Sequence, residues 1–325
     1  MSSSNEQYLT LPDERVLAYA QCGNLQSNTV VIWFHGIMAV GEAKKLPKGL
    51  DGKDVHFISP TLPGLRAFHE VVPKDTLALI LHLHPDALTN DDFRLFVAGG
   101  SYGTVPAQIV YGCSHDLFPL NTSQKMKGCL LASGFCPMYR FPEFTSHLTW
   151  ANYIAIGSWS VAIPFRLIPR LITVGISLQV NTLEKARSFV QKFIIDKMSE
   201  EERRSIEAAQ GRTVEEVRDH MGDIVFRSTQ KSWEGYIDFS HAANSDWKLR
   251  PEVFKQAPGD EIEAELTTPR VLVTTTHEDD LAAPVFSEWS AKNFKNAELK
   301  VYPGGHIGIL GYMKEVWEAL LAYDE

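Results

Sequence analysis

Residues 95–104 read Leu95-Phe-Val-Ala-Gly-Gly-Ser-Tyr-Gly-Thr104, an apolar strand-like run that breaks into Gly99-Gly100-Ser101-Tyr102-Gly103. The G-x-S-x-G spacing puts a serine on a tight strand-to-helix turn. Glycine two residues to either side lets strand and helix pass close together, and the serine backbone is forced into a strained conformation. On composition alone roughly 0.1 such matches are expected by chance in a chain of this length, so the flanks decide. Phe93-Arg-Leu-Phe-Val-Ala98 reads as a buried strand, and Thr104-Val-Pro-Ala-Gln-Ile-Val-Tyr-Gly112 as a helix with Pro106 in its first turn. Ser101 Oγ is therefore expected to stand clear of a sheet, at a helix N-terminus.

Working outward, the same pattern repeats. Tyr8 to Ala20 alternates around Pro12-Asp13, as a β-hairpin does. Thr29-Val-Val-Ile-Trp-Phe34, Val55-His-Phe-Ile58, the run at 93–98 and Gly128-Cys-Leu-Leu-Ala132 are continuous apolar strands, which implies burial on both faces and a parallel sheet. Thr76 to His84 reads as a covering helix. From 137 to about 260 the period becomes helical, with helices at Thr182–Phe193 and Ser199–Ala209, the latter with Ser199 and Glu202 in capping-box spacing. Strands return at Arg270–Thr276 and Glu298–Tyr302, separated by a helix over Phe286–Phe294 and followed by one from about Tyr312 to Tyr323. The expected division is an α/β core, 1–136 and 265–325, with a helical insert at 137–264.

At 325 residues and 44% hydrophobic content the chain can bury a sizeable core. A net charge of -9 without a basic stripe argues against nucleic acid as partner. Cys22, Cys113, Cys129 and Cys136 are scattered, and the N-terminus lacks a basic region followed by an apolar one, which together predict reduced thiols and a cytoplasmic protein. Phe144–Phe165 has no Asp, Glu, Lys or Arg, yet Thr145, Ser146, His147, Asn152, Gly157 and Pro164 interrupt it. The expectation is an apolar lid helix pair with at most weak contact to a membrane surface, not a transmembrane segment. Oligomeric state is not legible.

A serine hydroxyl attacks poorly unless a base takes its proton, and the base needs an acid to hold its tautomer. Among eleven histidines, His306 stands out in Pro303-Gly-Gly-His-Ile-Gly308, just past the last strand. Asp280 lies in His277-Glu-Asp-Asp-Leu-Ala-Ala-Pro284, just past the strand before it. Both fall at carboxyl ends of strands, where open α/β sheets place their sites. The cluster at 277–280 has no second ligand cluster to share a metal, so no metal and no cofactor are expected. An oxyanion needs two preorganised N–H donors. Tyr102, after the serine, supplies one; Ile37, in His35-Gly36-Ile37-Met38 after the first parallel strand, supplies the other, with His35, Gly36 and Met38 beside the substrate.

Together these residues resemble the α/β-hydrolase superfamily, in particular its serine esterases, lipases and lactonases with a helical cap. The resemblance covers the Leu11–Tyr19 hairpin, His35-Gly36, Pro63-Gly64, the serine turn, the Asp280 loop ending at Pro284, and Gly305-His306. It implies the α/β-hydrolase fold, a mostly parallel central sheet flanked by helices with an inserted cap, and a triad of Ser101, Asp280 and His306. Asp280 is preferred to Asp279 because it lies four residues before Pro284, the spacing in that family. The implied reaction is hydrolysis of an ester, thioester or lactone of a mostly apolar small molecule. Acyl transfer, C–C cleavage by the same triad, or non-catalytic ligand binding on the same scaffold stay open. Thr61-Leu-Pro-Gly-Leu-Arg-Ala-Phe68 departs from the family's Asp-Arg-Pro-Gly-x-Gly-x-Ser, and His277 stands where glycine is usual, which implies an atypical pocket. Tyr139, Phe141, Phe144, Trp150, Tyr153, Trp159 and Phe165 are too many aromatics for a solvated surface. Part of that set is expected to line the cavity over Ser101.

Overall fold

The computed structural model describes residues 5–62, 68–230, 232–250, 253–255 and 269–322. Eight strands form one sheet: β1 (Gln7–Thr10), β2 (Val16–Gly23), β3 (Thr29–Phe34), β4 (His56–Pro60), β5 (Arg94–Gly100), β6 (Met126–Ala132), β7 (Arg270–Thr276) and β8 (Ala297–Tyr302). Their order is β1-β2-β4-β3-β5-β6-β7-β8. The β1–β2 hairpin is antiparallel, and β2 joins β4 antiparallel at the edge. Every other pairing is parallel. Serial β-α connection forces this: a covering segment that returns the chain to the same end of the sheet makes neighbouring strands parallel.

Strand alternation divides the core. Val30, Ile32 and Phe34 of β3 point into one cluster, with α1 (Phe68–Leu83), α2 (Thr104–Gly112) and α10 (Pro284–Asn293) packed on it. Val31 points the other way, into a cluster built with Val316, Trp317 and Leu320 of α11 (Met313–Leu321). The helix predicted from Thr76 starts at Phe68, because Pro73 is accommodated inside it rather than marking its boundary.

Between β6 and β7 the chain is helical. Here lie α3 (Trp150–Ile156), α4 (Ser158–Ala162), α5 (Leu167–Val180), α6 (Leu183–Phe193), α7 (Glu200–Gln210), α8 (Val214–Thr229) and α9 (Glu234–Asn244). Val180, Ala186, Val190, Ile206, Val214, Val217 and Val225 give this insert a cluster of its own. Its ends merge with the main core through Met138, Phe144, Ile156 and Trp247. The predicted end of the insert at 264, like Pro63-Gly64, lies outside the described residues.

The uncharged run 144–165 is broken by Gly157 and by a short 3-10 turn at Pro164–Arg166, where Phe165 and Arg166 are both left-handed. Among the described residues no helix is long and apolar enough to cross a membrane. Trp150, Trp159, Phe165, Leu171, Val174 and Leu178 on and around α3–α5 are exposed.

Candidate active site

The strand ends on one edge of the sheet carry the chemistry. β5 ends at Gly100, and Ser101 opens a 3-10 turn, Ser101–Gly103, that runs directly into α2. Ser101 is left-handed, with φ of 52°, the strain that the motif demands of a residue with a side chain. The glycines are required by approach: a Cβ on Gly99 would lie 2.0 Å from the Gly103 carbonyl oxygen, and one on Gly103 2.0 Å from that of Phe34. Thr104 then ties the turn down. Its hydroxyl donates to the Ser101 carbonyl at 2.8 Å and accepts the Phe135 N–H at 3.0 Å, fastening the serine turn to the loop after β6.

Ser101 Oγ lies 2.9 Å from His306 Nε2. The other ring nitrogen, Nδ1, lies 2.8 and 2.9 Å from the two carboxylate oxygens of Asp279. That contact assigns the Nδ1 proton to the carboxylate side and leaves Nε2 free to accept from the serine. Ser101 and His306, 205 residues apart, are thus brought together.

The acid differs from the residue expected. Asp280 does not reach His306: its carboxylate is half exposed and pairs with Lys197 of the insert at 3.2 Å. Asp279 is buried and accepts the backbone N–H groups of Leu281 and Ala282 at 3.0 and 2.7 Å as well as the imidazole. The turn that Asp279 caps with its own side chain points its carboxylate inward and throws the next side chain outward. Counting residues from Pro284 could not register this reversal.

The loop after β3 faces the serine. A Cβ on Gly36 would come 3.3 Å from Ser101 Cβ, a tight contact, so glycine here lets the loop backbone lie close to the serine. Gly36, Ile37, Met38 and Tyr102 border one cavity of about 800 Å³. Tyr102 N–H sits in the first turn of the helical segment, among donors without an intrahelical acceptor. Met38 is left-handed, with φ of 55°, and packs against the cluster of the insert.

The ring of His35, a residue expected beside the substrate, is engaged by the protein's own backbone. Nε2 accepts the Leu62 N–H at 2.9 Å and Nδ1 donates to the Gly36 carbonyl at 2.7 Å. Burial pushes its pKa down to about 4, so it is a neutral pin between the loops after β3 and β4.

The insert contributes to this cavity through Arg227, Ser232, Trp233 and Tyr236, at the junction of α8 and α9. The aromatics expected there lie elsewhere. Phe144 is in the main core, and Tyr139 and Phe141 pack against it. Trp150, Trp159 and Phe165 face solvent. The lining also includes Arg15, held in a two-pronged pair to Asp75 at 2.7 Å per contact, and does not include Ser101 or His306. A second cavity of about 920 Å³ lies in the insert between Phe165, Arg166 and α9, without lining from the strand-end loops. Among the described residues no three His, Cys, Asp or Glu side chains gather as they would around a metal ion.

No protein-family model matches this chain, and none of the curated proteins does. Solved structures do match. An esterase from Exiguobacterium antarcticum superposes with a TM-score of 0.57 at 13% identity, covering 98% of each chain. An alpha/beta hydrolase enzyme from a Medee basin deep-sea metagenome library superposes at 0.52 and 15% identity, covering 98% of this chain and 97% of its own. A 2-hydroxy-6-oxo-6-phenylhexa-2,4-dienoate hydrolase from Rhodococcus superposes at 0.53 and 14% identity over 98% of each. At such identities the likeness is one of architecture, and it agrees with the strand order and the serine turn: the chain has the α/β-hydrolase fold.

Proposed function

We propose that this protein is a serine hydrolase that cleaves an ester, thioester or lactone of a mostly apolar small molecule. The observation that carries the reading is the unbroken relay from Ser101 Oγ through His306 to buried Asp279, with contacts of 2.9 and 2.8 Å. Ser101 attacks the substrate carbonyl while His306 Nε2 takes the hydroxyl proton, giving a tetrahedral oxyanion. Ile37 and Tyr102 N–H groups hold that oxyanion. On collapse the imidazolium returns its proton to the leaving alcohol or thiol, and an acyl-Ser101 ester remains. Water, deprotonated by the same imidazole, then releases the acid and restores the serine. Asp279 keeps the Nδ1 proton in place and offsets the transient positive charge.

Several features support the substrate class and setting. Ile37, Met38, Trp233 and Tyr236 give the cavity that Gly36 and Tyr102 border an apolar part. The insert from 137 to 264 is read as the cap that closes it. Cys22, Cys113, Cys129 and Cys136 are free thiols, in keeping with a cytoplasmic setting. The test is labelling with a fluorophosphonate followed by identification of the modified peptide. Attachment at Ser101, lost in Ser101→Ala together with ester turnover, is the expected result; a labelled site elsewhere, or ester turnover retained by Ser101→Ala, overturns the reading.

A further inference from the structure

The loop that carries His306 is held from two sides by two different parts of the molecule. From the core, Thr276 Oγ1 donates to the Gly305 carbonyl at 2.8 Å, and Glu278 N–H donates to the Gly304 carbonyl at 3.0 Å. From the insert, Glu202 on α7 accepts the Gly305 N–H at 3.2 Å. Gly305, the residue preceding the histidine, is thus held at its carbonyl by the sheet and at its N–H by the insert.

The fit around Glu202 is close. A Cβ on Gly304 would lie 3.2 Å from Glu202 Cδ, and Cβ atoms on Gly305 and Gly308 would lie 3.7 and 3.0 Å from Glu202 Oε1. Gly304 also has φ of +103°, a backbone that disfavours any other residue. Further along, Gln210 Nε2 donates to the Leu310 carbonyl at 3.0 Å, and a Cβ on Gly311 would meet Ser205 Oγ at 2.3 Å. Helix α7 therefore lies along the whole segment 304–311.

The capping-box spacing of Ser199 and Glu202 has an unexpected outcome. Ser199 Oγ accepts the Glu202 N–H, as an N-cap does, and the Glu202 carboxylate, which also faces the Ser199 N–H at its own helix end, reaches across to the Gly305 N–H of the core loop. It is 8% exposed, and burial raises its pKa while the N–H groups of Gly305 and Ser199 lower it. A buried carboxylate is costly unless its hydrogen bonds repay it. An apolar side chain would fill the space but leave the Gly305 N–H without this acceptor, so the acceptor is the feature that calls for a function.

The geometry points to Glu202 as a positioning residue, by which the seating of helix α7 on the core sets the place of His306 relative to Ser101. Closure of the insert and assembly of the Ser101–His306 contact are then one event: with α7 lifted, the Gly305 N–H loses its acceptor and the histidine loop keeps only its core anchors. This rests on the reading of Ser101 and His306 as the reacting pair, but the link from Glu202 to the loop can be measured separately.

The test compares Glu202→Ala, Glu202→Gln and the exposed neighbour Glu201→Gln, using amide exchange at Gly305 and the kinetics of ester hydrolysis. Glu202→Ala should speed Gly305 exchange and lower kcat by about 10- to 100-fold, with KM changed by less than about threefold. Glu202→Gln keeps an acceptor oxygen and should restore both to near wild type, and Glu201→Gln should change neither. Wild-type kcat in a folded Glu202→Ala protein overturns the proposal, as does a folded Glu202→Gln protein as impaired as the alanine variant. If alanine prevents folding, the glutamine variant still decides. Should the wild type prove not to be a hydrolase, the exchange rates still tell whether Glu202 holds the loop, so the two failures are distinguishable.

Discussion

Asp279 Oδ2 lies 2.8 Å from His306 Nδ1 while the adjacent carboxylate, that of Asp280, turns to Lys197 at 3.2 Å. Two neighbouring acids therefore have opposite surroundings, one buried and hydrogen-bonded three ways, the other half exposed on a surface pair.

That difference yields a ranking. Asp279→Asn should lower kcat by about 10⁴-fold, because an amide at this place favours the wrong imidazole tautomer. Asp280→Asn removes an exposed pair worth about 0–1 kcal/mol and should leave turnover nearly intact. Side-by-side ester kinetics of the two variants check this, and the reverse order would return the role to Asp280.

How much of this was legible in the chain depended on the range of the forces involved. The buried strands and the serine turn were readable because continuous apolar runs and glycine spacing are local signals. Thr29–Phe34 and Thr104–Gly112 match their elements end to end. Ser101 and His306 could be named from glycine context. The choice between Asp279 and Asp280 could not, since it turns on which carboxylate caps its own turn. Trp150, Trp159 and Phe165 were expected inside and lie outside, because apolar character does not say which face of the insert a residue joins. Glu202 carried only a capping signal, and its partner Gly305 is 103 residues away.

The glycines of the serine turn should divide by what they face. Gly103→Ala would drive a Cβ to 2.0 Å from a backbone oxygen of β3, which cannot move without breaking the sheet, so the variant should fail to fold or unfold far below wild type. Gly36→Ala meets Ser101 Cβ at 3.3 Å, and the Gly100 carbonyl oxygen and Ser101 Oγ only at ordinary distances of 3.5 and 3.8 Å. It should fold and lose turnover by crowding the serine. Thermal melts beside ester kinetics separate the cases; a stable, active Gly103→Ala protein would contradict the geometry.

Thr104→Val keeps the side chain's shape but removes the hydroxyl between Ser101 and Phe135. The Phe135 N–H is left buried without its acceptor, at a cost of about 1–3 kcal/mol. Urea unfolding should show that loss. If the hydroxyl also steadies the turn, kcat should drop more than KM rises, whereas unchanged stability would mean that the N–H finds another partner.

Acid should weaken the fold through buried histidines. Burial pushes the pKa values of His35 and His56 down to about 4, the latter also through His84, so both are neutral in the native state. The unfolded chain protonates them below about pH 6.5. Their contribution is complete above that pH and is lost progressively toward pH 4, at up to about 1.4 kcal/mol per pH unit for each histidine. Urea midpoints between pH 7 and 5 should therefore fall with acid, and less steeply in His56→Gln. Equal slopes would show that His56 is not neutral in the fold.

The cavity beside Ser101 should set a length preference among acyl chains. Its lining includes apolar Ile37, Met38, Trp233 and Tyr236 and the charged Arg15–Asp75 pair. A growing acyl chain buries methylenes against the apolar part, each contributing up to about 0.8 kcal/mol of binding, until it reaches the ion pair, where further methylenes would have to desolvate charge. In a nitrophenyl ester series from acetyl to decanoyl, kcat/KM should rise and then level off or decline within the series. Replacing Trp233 with alanine should lower the rising part and leave acetyl ester turnover nearly unchanged, because an acetyl group has no methylene chain to pack on the indole. A steep fall beyond acetyl would show that the side chains of the insert fill the space themselves, and a rise unaffected by Trp233→Ala would place the acyl chain in a different part of the molecule.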